Sequence, residues 1–114
     1  MRNATRSMLD RLEIGCTAVT SRDEAVTVYH ESIREARRFD AVMIDLDTFG
    51  DNEAEELIRG LCRIDPFAMV IISSQTTRNP LMVDYRNINI HKRILKPYTV
   101  ESLGSVIREL LPNN

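Results

Sequence analysis

Residues 68–73 form an almost unbroken apolar run, Ala-Met-Val-Ile-Ile-Ser, with three consecutive β-branched side chains. A strand with one face in water alternates apolar and polar residues, whereas a run of this kind is typical of a strand covered on both faces. Such strands belong mostly to parallel sheets that carry helices on both sides. The run therefore favours a buried strand in an α/β fold.

Helical and strand patterns alternate along the rest of the chain. Further strands are predicted at residues 17–20, 40–45 and 93–95. A first helix is predicted at residues 4–14, and a second at residues 21–38, beginning with a Ser21–Glu24 capping box. A third is predicted from a cap at Asp51 or Asn52 to Pro66, and a short fourth after Asn79-Pro80. The last is predicted from a cap at Thr99 to Pro112. This alternation implies right-handed crossovers and a parallel sheet with helices on both faces. In such sheets, ligands bind beyond the carboxyl ends of the strands.

Size and charge limit the partners that this chain can have. At 114 residues it is predicted to be one domain, residues 1–114. The net charge of −2 and the scattered basic residues argue against binding to nucleic acid or to an anionic membrane. No apolar stretch approaches the ~18 residues of a membrane span, so no membrane insertion is expected. Cys16 and Cys62 lack metal-ligand spacing and are interpreted as reduced thiols, which favours a cytoplasmic location.

The predicted strands end in side chains of three chemical kinds. One predicted strand ends in the carboxylates of Asp45 and Asp47, and the next along the chain ends in the hydroxyls of Ser73 and Ser74. The ammonium of Lys96 follows the last strand. A carboxylate can accept a phosphoryl group as a mixed anhydride. A hydroxyl can donate a hydrogen bond to a phosphoryl oxygen, and an ammonium can neutralise its charge. Each side chain alone is ordinary at the end of a strand, but the combination favours phosphoryl chemistry.

These residues resemble the receiver domain of bacterial two-component response regulators and hybrid histidine kinases. The likeness is carried by FDAVMIDLD, which ends at Asp47, by VIISS, which ends at Ser74, and by RILKPYT around Lys96. The intervals are 28 residues from Asp45 to Ser73 and 23 from Ser73 to Lys96, which match the spacing of that family. The resemblance extends over essentially the whole chain.

The resemblance implies a flavodoxin-like fold and a role for each of these residues. Asp45 falls at the phosphoacceptor position, Ser73 at the conserved hydroxyl, Lys96 at the conserved lysine, and Pro97 at a proline that is frequently cis in the family. It also implies a signalling domain in a phosphorelay, not an enzyme, whose partner is a histidine kinase or a phosphotransfer protein.

The sequence departs from the family pattern at its beginning. A receiver starts with a central strand that ends in an acidic pair holding Mg²⁺, and counting back from Asp45 places that pair at about Met1 and Arg2. The fold is therefore expected to be a truncated one that lacks the first central strand. Of the family's protein ligands, only Asp45 and the Asp47 carbonyl remain, so Mg²⁺ binding is expected to be incomplete and weak or absent. In addition, Arg93 stands where the family's switch aromatic is expected.

Three interpretations remain open. The favoured one is a receiver that is degenerate in Mg²⁺-dependent phosphorylation and acts as a protein-interaction module. The second is a phosphorylatable receiver whose first strand lies outside this sequence. The third is a phosphatase of the haloacid dehalogenase type, since Asp45-x-Asp47 looks like its first motif. Against the third, the Gly-Thr that should follow Asp47 is missing, and no acidic pair follows Lys96.

Loss of the first strand also predicts self-association. Without it, the strand at residues 40–45 has a bare edge, and an exposed apolar edge favours pairing with another chain. The strand at residues 17–20 could move across to cover this edge, but it is short and polar. The first helix, with Met8, Leu9 and Leu12, also needs an apolar surface. A homodimer through the N-terminal half of the chain is therefore expected.

Overall fold

The computed structural model of the chain describes residues 2–12, 15, 17, 19, 21–37, 39–78, 80–83 and 90–110. In these residues the elements follow in the order α1 (Arg2–Arg11), α2 (Arg22–Arg34), β1 (Val42–Asp45), α3 (Leu46–Phe49), α4 (Asp51–Ile64), β2 (Val70–Ser74), α5 (Pro80–Val83), β3 (Lys92–Leu95) and α6 (Val100–Leu110). Residues 18 and 20 of the strand predicted at 17–20 lie outside the described residues, so this strand stays a prediction. The helix stop predicted at Pro112 also lies outside them.

The three described strands form a parallel sheet in the order β1-β2-β3. All five residues of the central strand, β2, are buried, as the apolar run from Ala68 predicts. Asp45 pairs in register with Ser73, and Ser74 pairs with Leu95. The register therefore brings the carboxyl ends of all three strands together at one edge of the sheet. A flavodoxin-like α/β fold is confirmed.

Helices cover both faces of the sheet, as the sequence predicts. On one face, α2, α4 and α5 surround β1 and β2 with a buried cluster: Tyr29, Ile44, Leu46, Ala54, Leu57, Ile58, Leu61, Ala68, Val70, Ile72, Leu81, Met82 and Ile90. On the other face, α6 supplies most of a second buried cluster: Ile71, Ile94, Leu103, Ile107 and Leu110. Apolar burial on this scale is the main favourable term in the folding free energy.

Helix α1 packs within its own chain, against α6. Met8, Leu9 and Leu12 are partly buried against the second cluster. The contact is close at Gly104, where an added Cβ would lie 3.1 Å from Cδ2 of Leu12. The apolar face of α1 is therefore covered without a second chain, and this face no longer supports the expected dimer.

The helix boundaries differ from the prediction at α4. Ser21 caps α2 as predicted, since its side chain accepts a hydrogen bond from the Glu24 amide. Helix α4, however, begins after Gly50, and neither Asp51 nor Asn52 caps it. The reason is the short helix α3, which starts directly after β1 and is capped by the Asp45 side chain. The turn from α3 into α4 then needs a φ of +81° at Gly50, which glycine adopts at little cost.

The far side of β1 is an edge in the part of the chain that the structure describes, where β2 is its only neighbour. Val42 and Met43 are only half-buried on this strand. The bare edge stays a prediction, because half of the strand predicted at residues 17–20, which could cover it, lies outside the described residues. No described helix has the length and apolar character needed to cross a membrane.

Candidate functional site

The carboxyl edge of the sheet positions the side chains that the sequence singles out. Asp45 is the last residue of β1 and the cap of α3, and Lys96 follows directly after β3. The Lys96 amide donates a hydrogen bond to the Ser74 carbonyl over 2.9 Å, which fixes Lys96 at the end of β2. The peptide bond between Lys96 and Pro97 is cis, as the resemblance implies.

The carboxylate of Asp45 is bound on both oxygens. The Lys96 ammonium lies 2.9 Å from Oδ1 and 2.9 Å from Oδ2. Oδ1 also accepts a hydrogen bond from the Asp47 amide over 3.0 Å, and Oδ2 accepts one from the Thr48 hydroxyl over 3.2 Å. Asp45 therefore caps the short helix and forms a bidentate ion pair at the same time.

The carboxylate of Asp47 joins the start of α3 to the end of β2. Its Oδ1 accepts a hydrogen bond from the Ser74 hydroxyl over 3.2 Å, and its Oδ2 accepts one from the Gln75 amide over 3.0 Å. The same Oδ2 lies 3.1 Å from the Lys96 ammonium. One cation thus faces two carboxylates, and the site carries a net negative charge.

Lys96 is the electrostatic centre of this arrangement. Its side chain is 23% exposed, and those of Asp45 and Asp47 are each 32% exposed. Partial burial lowers the pKa of Lys96, but hydrogen bonds and opposite charges from Asp45 and Asp47 together outweigh that effect, so its pKa is raised. The ammonium is therefore charged throughout the physiological range.

Ser73, the predicted hydroxyl, lies beside Asp45 but is not part of the hydrogen-bonded network. It pairs in register with Asp45 and is 1% exposed. Among the described residues, the hydroxyl that joins the carboxylates is that of Ser74. Successive side chains of a strand point to opposite faces, so only one of the two serines can join Asp47. The sequence shows both hydroxyls but not which face holds the network.

Two further groups of the site were not predicted as functional. The first is the Thr48 hydroxyl, which donates a hydrogen bond to Asp45. Gln75 contributes its backbone amide, which has no signature in the sequence. Arg93 stands where the family's switch aromatic is expected. Its Nε donates a hydrogen bond to the Leu81 carbonyl over 2.8 Å, which joins β3 to α5.

Among the described residues, the carboxylate oxygens that could bind a magnesium ion are already in contact with Lys96. Mg²⁺ requires near-octahedral oxygen ligands, usually with one or two carboxylates committed to it. In the described part of the chain, no group of three His, Cys, Asp or Glu side chains could hold a metal. The two candidate carboxylates, Asp45 and Asp47, already share the Lys96 ammonium. A cation would therefore compete with Lys96 for the same oxygens.

Comparison with known proteins gives matches among solved structures only. No protein-family model matches the sequence, and no curated protein matches it. The receiver domain of a sensor histidine kinase from Pseudomonas aeruginosa PAO1 superimposes with a TM-score of 0.79 at 14% identity, over 96% of this chain and 86% of that one. That domain was crystallised with a magnesium ion coordinated in its active-site cleft.

A second solved structure has the same architecture. The response regulator receiver protein from Sinorhizobium medicae WSM419 superimposes with a TM-score of 0.63 at 21% identity, over 92% of this chain and 80% of that one. Neither identity is high enough to carry residue roles from one protein to the other, but both superpositions span nearly the whole chain. The chain has the fold of a receiver domain.

Proposed function

We propose that this chain is a receiver domain of two-component phosphorelay signalling, with Asp45 at the phosphoacceptor position. In this proposal it is degenerate in Mg²⁺-dependent phosphorylation and acts as a protein-interaction module, not as an enzyme. The observation that carries the proposal is the Lys96 ammonium, which binds the carboxylates of Asp45 and Asp47 at the carboxyl edge of a receiver-type sheet.

The geometry supports both parts of the proposal. Asp45 and Lys96 stand in direct contact, as phosphoryl transfer to a carboxylate with charge neutralisation by an ammonium requires. However, both Asp45 oxygens already accept hydrogen bonds, and a cation would have to compete with Lys96 for the two carboxylates. If that competition keeps Mg²⁺ out, developing negative charge on a phosphoryl group would lack its largest stabiliser.

The expected partners are a histidine kinase or a phosphotransfer protein, and the expected location is the cytoplasm, where such domains act. We also retain the homodimer through the N-terminal half of the chain as a prediction. It now depends on the edge of β1 alone, since α1 packs on α6.

Partner binding tests the proposed function. Calorimetric titration with purified histidine kinase and phosphotransfer domains from the same organism is expected to give a complex without any phosphate donor. The complex is expected to persist in Asp45→Asn, with Asp40→Asn as the charge-matched control, since Asp40 is exposed and precedes β1. Binding that appears only after phosphorylation or with beryllofluoride would favour the phosphorylatable receiver, in which the first strand lies outside this sequence. Hydrolysis of phosphate monoesters that is lost in Asp45→Asn would favour the haloacid-dehalogenase-type phosphatase.

A further inference from the structure

The Asp47 carboxylate is a resident anion at the edge of the sheet. Three different donors converge on it, namely the Lys96 ammonium at 3.1 Å, the Ser74 hydroxyl at 3.2 Å and the Gln75 amide at 3.0 Å. These donors come from the ends of two different strands, β2 and β3, whereas Asp47 belongs to α3. A side-chain carboxylate thus connects α3 with the carboxyl ends of β2 and β3.

The same three donors are of the kinds that bind a phosphoryl group. An ammonium, a hydroxyl and a backbone amide bind oxyanions through charge-assisted hydrogen bonds. A carboxylate presents two oxygens with a delocalised negative charge, so it can accept these hydrogen bonds in place of a phosphoryl group. Asp45 lies beside this donor set, because the same Lys96 nitrogen contacts both of its oxygens.

We infer that Asp47 is an internal substitute for the phosphoryl group. Its carboxylate occupies the oxyanion donors of Lys96, Ser74 and Gln75 and holds the carboxyl ends of the strands in the arrangement that a bound anion would give them. This inference rests on the proposed receiver function and concerns the regulation of that same site. It explains why partner binding would not require phosphorylation, since the donors that would respond to a phosphoryl group are already engaged.

Two physical consequences follow from the occupation by Asp47. An incoming oxyanion must displace the Asp47 carboxylate before it reaches the Ser74 hydroxyl and the Gln75 amide. It must also approach a site in which one ammonium faces two carboxylates, so the net charge repels it. Neutralising Asp45 alone removes part of the repulsion but leaves the donors filled.

Binding of inorganic phosphate is the measurement that distinguishes two effects of Asp47, its occupation of the three donors and its negative charge. The measurement compares Asp45→Asn with the double variant Asp45→Asn/Asp47→Ala, in which the donors are open. The double variant Asp45→Asn/Asp40→Ala is the control, because it has the same net charge and an intact Asp47. Binding is followed through the ¹H–¹⁵N resonance of the Gln75 amide and through the rise in Tm with phosphate, after circular dichroism has verified the fold.

We expect the variant that lacks Asp47 to bind phosphate at least tenfold more tightly than Asp45→Asn, with a saturable shift of the Gln75 amide. The control is expected to behave like Asp45→Asn. Equal affinities in all three proteins, or phosphate binding that leaves the Gln75 amide unmoved, would overturn the inference. If Asp47→Ala prevents folding, Asp47→Gly makes the same test, because it also leaves the three donors without a side-chain acceptor. None of these proteins can be phosphorylated at residue 45, so the result is independent of the partner-binding test of the proposed function.

Discussion

The Lys96 ammonium lies 2.9 Å from both carboxylate oxygens of Asp45. Strand β1, which ends at Asp45, and strand β3, which precedes Lys96, are nevertheless not neighbours in the sheet. Strand β2 lies between β1 and β3, and the ion pair passes over its carboxyl end. Asp47 extends the same contact to the end of β2 through Ser74 and Gln75. The carboxyl ends of the strands, where a receiver domain has its reactive site, are thus joined by an internal network of charged side chains.

This network gives the stability of the protein a defined dependence on alkaline pH. Because Asp45 and Asp47 raise the pKa of Lys96 in the folded state, the stabilisation is fully present below the unfolded-state pKa of about 10.4. It is lost as the pH rises through the folded-state pKa. Urea unfolding of the wild type and of Lys96→Met is expected to give a constant difference in unfolding free energy from pH 7 to about 9.5 and a shrinking one above it. A difference that stays constant up to the most alkaline pH tested would contradict the role of the ammonium.

A buried hydrogen bond between α2 and the C-terminal end of α4 makes a second prediction. The Tyr29 hydroxyl donates to Oδ2 of Asp65 over 2.7 Å, and both residues are buried. Tyr29→Phe retains the ring that stacks on Phe39 but deprives the carboxylate of this donor. We expect a loss of about 1–3 kcal/mol in unfolding free energy, measured by urea unfolding at pH 7. A loss below about 0.5 kcal/mol would mean that the bond contributes nothing net.

The contact between α1 and α6 can be tested with two glycines in helix interiors. An added Cβ would lie 3.1 Å from the Leu12 side chain at Gly104, but 3.8 Å from its nearest neighbour, Val26, at Gly60. We expect Gly60→Ala to stabilise the protein by roughly 0.5–1 kcal/mol through helix propensity, and Gly104→Ala to fall short of that gain. In a Leu12→Ala background the shortfall should disappear, as a double-mutant cycle can measure. Equal gains at both glycines in the wild-type background would show that α1 does not pack closely here.

The predicted homodimer can be separated from the packing of α1. Light scattering at micromolar concentration is expected to give the mass of two chains. Leu12→Glu is expected to lower Tm while leaving the mass unchanged, because Leu12 packs against α6 in its own chain. A single-chain mass at every concentration would rule the dimer out, and a mass that halves in Leu12→Glu would return α1 to the interface.

How far the sequence predicts this molecule depends on the range of the interactions involved. The strand β2 and the helices α2, α4 and α6 were predictable because a buried strand must be apolar and a helix must repeat its apolar face. The order of Asp45, Ser73 and Lys96 also predicted that these residues lie together at the carboxyl ends of the strands. In contrast, α3 is only four residues long, Leu46–Phe49, and too short to show periodicity. Its presence moved the N-cap of α4 to Gly50.

The contacts of the site were less predictable than its position. The side chains of Ser73 and Ser74 point to opposite faces of β2. Only the register of the sheet determines which of the two contacts the carboxylates. The Gln75 amide is a backbone group that any residue would supply. That Asp47 turns towards β2 and Lys96 follows from the turn of α3, which the sequence pattern does not reveal.

Phosphotransfer to Asp45 tests the central claim most directly. The purified chain is incubated with acetyl phosphate and Mg²⁺, and the phosphorylated fraction is followed over time on a Phos-tag gel, with Asp45→Asn and Asp40→Asn alongside. We expect slow labelling or none, because Lys96 and its neighbours contact both Asp45 oxygens and compete with Mg²⁺ for the same carboxylates. Rapid labelling of the wild type and of Asp40→Asn that vanishes in Asp45→Asn would contradict this and show a receiver with a working phosphorylation site.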